Sequence, residues 1–521
     1  MAPHNLASRQ AMVFSSILYE DGWDDDAAPR TAPDYFPDLN LDQIVDAITV
    51  AKEEYDLKPF FYVPLRTTDA IFYRHAVMHD LECDGVLECI VSFAESMRMM
   101  RKKLGQSSKL SYKYQKERWF LHAVETYCAA VLALRNDLAR LTLTSRGLNA
   151  FRDYVGDYAE SDSFLTLLAD ANELSADLAE VAYCIRLKDS SVKVRKCEAE
   201  QEYSAQVLET FDKFRQGAVK DYRATFSTPV EMNHIEAKIL EFVALLYPET
   251  FSKLDHFAKR RRDFVEPVLR LFDREIQFYV AYLEHTNALK KAGLSFCYPR
   301  ISTTDKRVRN AAGFDLALAA KLVAAGAAPV CNDLEMRGNE RILVISGPNQ
   351  GGKTTFARTF GQLHHLASIG CPVPGRDAQL FLFDSLFTHF EREEAIENLH
   401  GNLQSDLIRV HDILVSATPR SIVIINEIFN STSLTDAVFL ARQVMEQIIE
   451  LDLLCVCVTF LDELASFSEK TVSMVSTVMP DNPAVRTYKV VRRPADGRSY
   501  AVLIAEKQGL TYERIKARIG S

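Results

Sequence analysis

Apolar positions follow two different rhythms along this chain. From about residue 41 to 295 they recur three and four apart, as in Leu121, Val124, Cys128, Val131, Leu134 and Leu138, and again in Leu269, Phe272, Ile276, Tyr279 and Leu283. Residues so spaced share one face of an α-helix, and the pattern predicts long amphipathic helices packed through their apolar stripes. Near residue 296 the rhythm changes. Unbroken apolar runs at 342–345, 422–425 and 453–459 alternate with helical segments, and a run without polar interruptions suits a strand covered on both faces. Residues 1–40 follow neither rhythm: Tyr19-Glu20-Asp21-Gly22-Trp23-Asp24-Asp25-Asp26 and the prolines after it read as an irregular, acidic entry segment. The predicted organisation is a multidomain chain, irregular over 1–40, mostly α-helical over 41–295 and α/β over 296–521.

Composition narrows this picture without redirecting it. At 521 residues the chain exceeds the size of a single growing core. A hydrophobic share of 48% and a charged share of 25% are ordinary for a globular protein. The formal charge of −10 means that any nucleic-acid contact must come from a local patch. The N-terminus has no long apolar core behind a basic start, and no run approaches the length of a membrane span, so the expected location is the cytoplasm. Ten cysteines are scattered without a C-x-x-C pair. They read as reduced thiols, mostly buried, with Cys455 and Cys457 on one face of a strand.

One interruption breaks the helical stretch. Tyr183 to Lys188 and Val192 to Cys197 alternate apolar and basic residues on either side of Asp189-Ser190-Ser191, which predicts a short hairpin with one basic face. Arg186, Lys188, Lys193 and Arg195 could grip a phosphate backbone, or could simply face solvent. Arg101, Lys102, Lys103, Lys109, Lys113 and Lys116, interleaved with Tyr112 and Tyr114, form a weaker basic cluster of the same ambiguity.

The chemistry concentrates at Gly347-Pro348-Asn349-Gln350-Gly351-Gly352-Lys353-Thr354, followed by Thr355. This fits G-x-x-x-x-G-K-[ST], lies directly after an apolar run, and precedes helical spacing through Phe356, Phe360 and Leu363. Glycines let backbone N–H groups close around phosphate oxygens, and the helix start adds partial positive charge. Lys353 would reach the β- and γ-phosphates, and the Thr354 hydroxyl would help hold Mg²⁺. Further on, the run 422–425 ends in Asn426-Glu427. A carboxylate at the end of such a strand can act as general base on an attacking water, which casts Glu427 as the catalytic acidic residue. The preceding position, normally Asp and a metal contact, is Asn426; an amide keeps an oxygen acceptor but loses the charge.

Several further motifs stand in order around these: Asn332-Asp333-Leu334, Ser368-Ile369-Gly370-Cys371-Pro372-Val373-Pro374, Asn426 to Ser433, Thr459-Phe460-Leu461-Asp462-Glu463-Leu464, and Ser499-Tyr500. Together with the loop they make residues 296–521 resemble the ABC-type ATPase domain of the MutS family of DNA mismatch-repair proteins. The helical region resembles that family's core and lever more faintly, through Val63-Pro64-Leu65-Arg66 and Tyr73-Arg74-His75. The resemblance implies ATP and Mg²⁺ as ligands, served by Lys353, Thr354 and Glu427, with Asn332 near the adenine. It also implies a homodimer contact at Asn430 to Ser433, a dimerising helical C-terminus and DNA as partner, with the hairpin at 183–197 as a reduced clamp. Three departures point to slow turnover: Asn426, Phe460 in place of a switch histidine, and Asn398 to Asp406 in place of an S-x-x-S-T-F-like stretch. The expected mismatch-reading and connector domains find no counterpart before residue 41. The expected function is an ATP-switched DNA-binding protein; the alternative is a nucleotide-gated interaction scaffold that does not bind nucleic acid.

Overall fold

The computed structural model describes residues 14–20, 22, 30–188, 191–197, 231–390, 402–480, 482–495 and 512–519. The chain forms two compact units, each drawn from discontinuous stretches: residues 1–14, 81–143 and 148–273 in one, and 15–80, 144–147 and 274–521 in the other. Composition along the chain suggested cuts after residues 40 and 295, whereas the units join segments far apart in sequence.

Among the described residues the first unit is helical with one hairpin. Helices Val86–Lys109 and Lys113–Leu138 lie side by side. The predicted stripe Leu121, Val124, Cys128, Val131, Leu134 and Leu138 is buried along its whole length, and each large apolar side chain so buried contributes on the order of 1.5–3 kcal/mol. Two helix starts in this unit are capped by side-chain oxygens. Ser161 accepts from the Phe164 amide ahead of Asp162–Ala179, and Asn233 with Glu236 closes a capping box ahead of His234–Leu246. Strands β1 (Tyr183–Lys188) and β2 (Ser191–Lys196) pair antiparallel, with Arg186 opposite Lys193 and Cys184 opposite Arg195. The alternation therefore places Cys184, Arg186, Lys193 and Arg195 on one face, as the sequence predicts.

The second unit is built on sheets. In chain order the strands are β3 (Phe296–Cys297), β4 (Arg300–Ser302), β5 (Val308–Gly313), β6 (Asn332–Met336), β7 (Ile342–Ser346), β8 (Val373–Pro374), β9 (Asp377–Phe381), β10 (Leu386–Phe390), β11 (Ile422–Asn426), β12 (Leu454–Val458), β13 (Thr471–Met479) and β14 (Asn482–Arg492). The main sheet runs β10-β11-β12-β7-β13-β14, parallel except for the antiparallel β13–β14 pair. The unbroken apolar runs are its central strands, and both faces are covered. On one face Ile342, Val344, Val423, Ile425, Cys455 and Cys457 share a core with Ala437, Ala441, Val444 and Ile448 of helix Leu434–Glu450. On the other lies helix Lys353–Ser368. A Cβ at Gly361 would come within 2.6 Å of a Leu39 methyl and 2.8 Å of an Ile424 methyl, so a larger residue there would have to displace these buried side chains. A smaller sheet, β4-β9-β5-β6, and the short β3-β8 pair complete the strands among the described residues.

Segments before residue 80 are locked into this unit by buried polar bonds. Arg74 is fully buried and donates to the carbonyls of Leu18 at 3.2 Å and Ile369 at 2.8 Å. The Leu65 amide donates to Ser368 at 2.8 Å, and the rings of Phe61 and Phe278 stand 4.6 Å apart. These contacts explain why residues read as part of a helical stretch belong to the same core as the main sheet.

Candidate functional site

The sheet brings the predicted chemistry to one end. Strand β7 leaves the core at Ser346, the chain turns through Gly347 and Gln350 with positive φ of 116° and 59°, and Gly352 at φ 90° caps helix Lys353–Ser368. The glycines are sterically required. A Cβ at Gly347 would meet the Ser476 carbonyl at 2.8 Å, and one at Gly351 would meet Ser476 Oγ at 2.2 Å and the Pro348 carbonyl at 2.9 Å. The loop is thus a backbone cradle with no space for a side chain at positions 347 and 351, the form that binds phosphate through N–H groups. Ser476 Oγ donates to the Gly351 carbonyl at 2.6 Å and Arg486 Nε donates to the Asn349 carbonyl at 3.1 Å, so β13 and β14 hold the loop from behind.

Lys353 opens the helix and is 5% exposed. Its ammonium donates to the Gly347 carbonyl at 3.0 Å and approaches the Pro348 carbonyl at 3.4 Å, while the Phe460 ring caps it with the centroid 4.0 Å away. Burial pulls its pKa below the usual lysine range, and the nearby charge of Glu427 opposes that shift. A cation desolvated in this way is poised for an anionic ligand. Beside it, Thr354 Oγ1 donates to Asn426 Oδ1 at 3.0 Å, linking the loop helix to the end of β11. The amide at 426 serves as the acceptor that an Asp would also have been, so the departure from Asp leaves this link intact while removing its charge.

Glu427 follows immediately, with its amide donating to the Val458 carbonyl at 2.9 Å. Both Glu427 and Phe429 have positive φ, 60° and 58°. Such conformations cost about 1–3 kcal/mol each in non-glycine residues and cluster at functional turns. Phe429 is fully buried, which holds the turn in place, and Asn430 Nδ2 lies 3.5 Å from Glu427 Oε2. Asn430 itself is exposed.

Asn332 sits at the start of β6 rather than on the loop. Its Oδ1 accepts from the Val490 amide at 2.9 Å and its Nδ2 donates to the Tyr488 carbonyl at 3.1 Å, fixing β14 to β6. A cleft of about 390 Å³ opens beside it, lined by Asp333, Arg337, Met474 and Lys489 among others. Ser476 and Arg486 belong to the loop's support and carry no motif. Only the pairing of β13 with β7 and β14 reveals them. Ser499, Tyr500 and residues 391–401 lie outside the described residues.

The two basic surfaces differ. Arg186 and Lys193 are exposed on the hairpin. In the weaker cluster Arg101 pairs with Asp273, Lys103 donates to Thr126 at 2.6 Å, and Lys113 pairs with Asp255 at 2.8 Å. Arg101, Lys103 and Lys113 thus have partners within the protein, while Lys102, Lys109 and Lys113 stay exposed.

Strand, glycine cradle, helix-opening lysine and acidic turn together define a P-loop α/β domain of the ATPase type. Residues 343–518 match the family model for MutS domain V. The chain is 33% identical over 184 residues to the DNA mismatch repair protein MutS of Shouchella clausii, covering 34% of this chain and 21% of that protein. It is 24% identical over 362 residues to the endonuclease MutS2 of Brevibacillus brevis, covering 67% of this chain and 46% of that protein. A MutS of Erythrobacter litoralis is 31% identical over 227 residues, 42% of this chain and 26% of that protein. Over these regions the chain is similar to proteins of the MutS family, and it matches between about a fifth and a half of the length of these relatives. Among the described residues no helix is long and apolar enough to cross a membrane.

Proposed function

We propose that this protein is an ATP-binding switch of the MutS type that acts on DNA as a homodimer and hydrolyses ATP slowly. The observation that carries the reading is the buried Lys353 ammonium turned onto the glycine cradle, with Thr354 tied to Asn426 alongside. Residues Gly347 to Thr355 would hold the phosphates, and Thr354, Asn426 and Glu427 would face Mg²⁺. Bound with the nucleotide, Mg²⁺ neutralises phosphate charge. Glu427 would orient and deprotonate the attacking water. Asn332 would border the adenine pocket by fixing β14. Slow hydrolysis follows from the neutral amide at 426 and from Phe460, which has no hydrogen-bond donor for phosphate.

Homodimer formation is supported by exposed apolar residues beside Asn430 to Ser433: Leu434 is 71% and Phe439 62% exposed on one helix. The exposed cations of the hairpin at 183–197 support DNA contact through phosphates. The competing reading, a nucleotide-gated protein scaffold, draws on the net charge of −10.

Calorimetric titration of the full chain and its Lys353→Ala variant with ATP and Mg²⁺ tests the site. The variant should lose binding by about 100-fold or more, since a charged, desolvated phosphate contact is removed. Equal affinities would overturn the assignment.

A further inference from the structure

At the base of the hairpin two thiols meet. Cys184 on β1 and Cys197 just beyond β2 have their sulfurs 3.3 Å apart. Both project to the same face, because Cys184 is paired with Arg195 and Cys197 lies two positions further on. Neither is enclosed: Cys197 is exposed and Cys184 half-buried. By contrast, Cys455 and Cys457 are buried in the sheet, and burial pushes the Cys457 thiol up to about 12.

The base of the hairpin is also held in place. The Cys197 amide donates to the Ala182 carbonyl at 3.3 Å, and the Tyr247 hydroxyl donates to the same carbonyl at 2.6 Å. Lys196 lies over the Tyr247 ring, 4.7 Å from its centroid. The two sulfurs are therefore presented by fixed backbone, and a disulfide, with its S–S bond of about 2.05 Å, requires only a small approach.

We propose that Cys184 and Cys197 form an oxidisable dithiol, a modification site that closes the basic hairpin with a covalent cross-link. The oxidant class is a peroxide. One thiolate attacks the O–O bond of hydrogen peroxide, taking one oxygen as sulfenic acid and releasing water. The second thiol then displaces that oxygen as a second water and forms the S–S bond. Two thiols are oxidised by two electrons, and one peroxide is reduced to two waters. A dithiol reductant reverses the step by exchange. The closed form restrains Arg186, Lys193 and Arg195 on a stapled ribbon without removing their charge.

The test uses the reduced full chain, stepwise hydrogen peroxide, alkylation of remaining thiols and mass spectrometry. Cys184 and Cys197 should lose their alkylation signals together and before the other cysteines, with the unalkylated mass falling by about 2 Da. Trypsin cuts between them at Arg186, Lys193 and Lys196, so their peptides should travel as one species until reductant is added. Cys184→Ser should leave Cys197 without that product. Both thiols staying alkylatable, or oxidising separately to sulfinic acids, would overturn the proposal. The experiment involves no DNA or nucleotide, so its outcome is independent of the proposed switch.

Discussion

The Phe460 ring covers the Lys353 ammonium at 4.0 Å from its centroid. With two loop carbonyls also accepting from it, the lysine is satisfied by the protein alone, and a phosphate must replace those partners. A cation–π contact is worth about 0.5–2 kcal/mol depending on desolvation. If it exists only without nucleotide, Phe460→Leu should tighten ATP binding by about 2- to 30-fold, while Phe460→Tyr keeps the wild-type affinity. Weaker binding in the Leu variant would show that the ring supports the bound state instead.

Asn426 and Glu427 separate metal charge from base chemistry. Asn426→Asp preserves the acceptor for Thr354 and adds a negative charge at the end of β11. It should raise the ATPase rate by about tenfold and lower the Mg²⁺ concentration for half-maximal activity. Glu427→Gln should leave ATP affinity near wild type and reduce the rate by about 100-fold or more. Steady-state phosphate release across a magnesium series measures both, and an unchanged rate in the Gln variant would remove Glu427 from the catalytic role.

The hairpin makes a prediction about salt. Each exposed cation that contacts a DNA phosphate contributes about one unit to the slope of log affinity against log salt. Arg186→Ala and Lys193→Ala should each lower that slope by about one and weaken binding to all sequences alike. Arg101→Ala, whose cation already pairs with Asp273, should leave the slope unchanged. The reverse pattern would move the DNA surface elsewhere.

Buried histidines set an acid limit on the second unit, and burial holds His75 among them at about 4. Burial holds His364 and His365 at about 4, against the opposing pull of hydrogen bonds to the carbonyls of Phe360 and Phe61. Their folded values lie below the unfolded value, so between about pH 6.5 and 4 the unfolded chain binds more protons and stability falls as pH falls. Glu275 works in the other direction, since burial raises it to about 7 despite bonds from Ser16 and Ile17. Replacing His364 with Gln should therefore flatten the acid slope by up to about one proton, or about 1.4 kcal/mol per pH unit. Denaturant midpoints at a series of pH values measure it, and an unaltered slope would refute the assignment.

Much of this was legible in the chain. Helical spacing identified the stripe from Leu121 to Leu138, and unbroken runs identified the central strands, because burial on one face or both leaves a period in the sequence. The loop and Asn426-Glu427 were legible because backbone cradles need glycine and strand ends carry the acids. Ser476, Arg486 and the clamp of Asn332 on Tyr488 were not, since those contacts depend on β13 and β14 folding back beside β7. Nor did any local pattern signal that residues 15–80 share a core with the main sheet. That follows from single long-range bonds such as Arg74 to Ile369. The meeting of Cys184 and Cys197 was equally hidden, although the hairpin that creates it was not.

The proposed switch requires a DNA contact governed by nucleotide. Its most direct test is the affinity of the full chain for duplex, mismatched and branched DNA, with and without ATP and Mg²⁺, across a salt series. An ATP-switched DNA-binding protein should show binding that changes with nucleotide and weakens steeply as salt rises. Absence of binding to every substrate in either nucleotide state would contradict it and favour the protein scaffold.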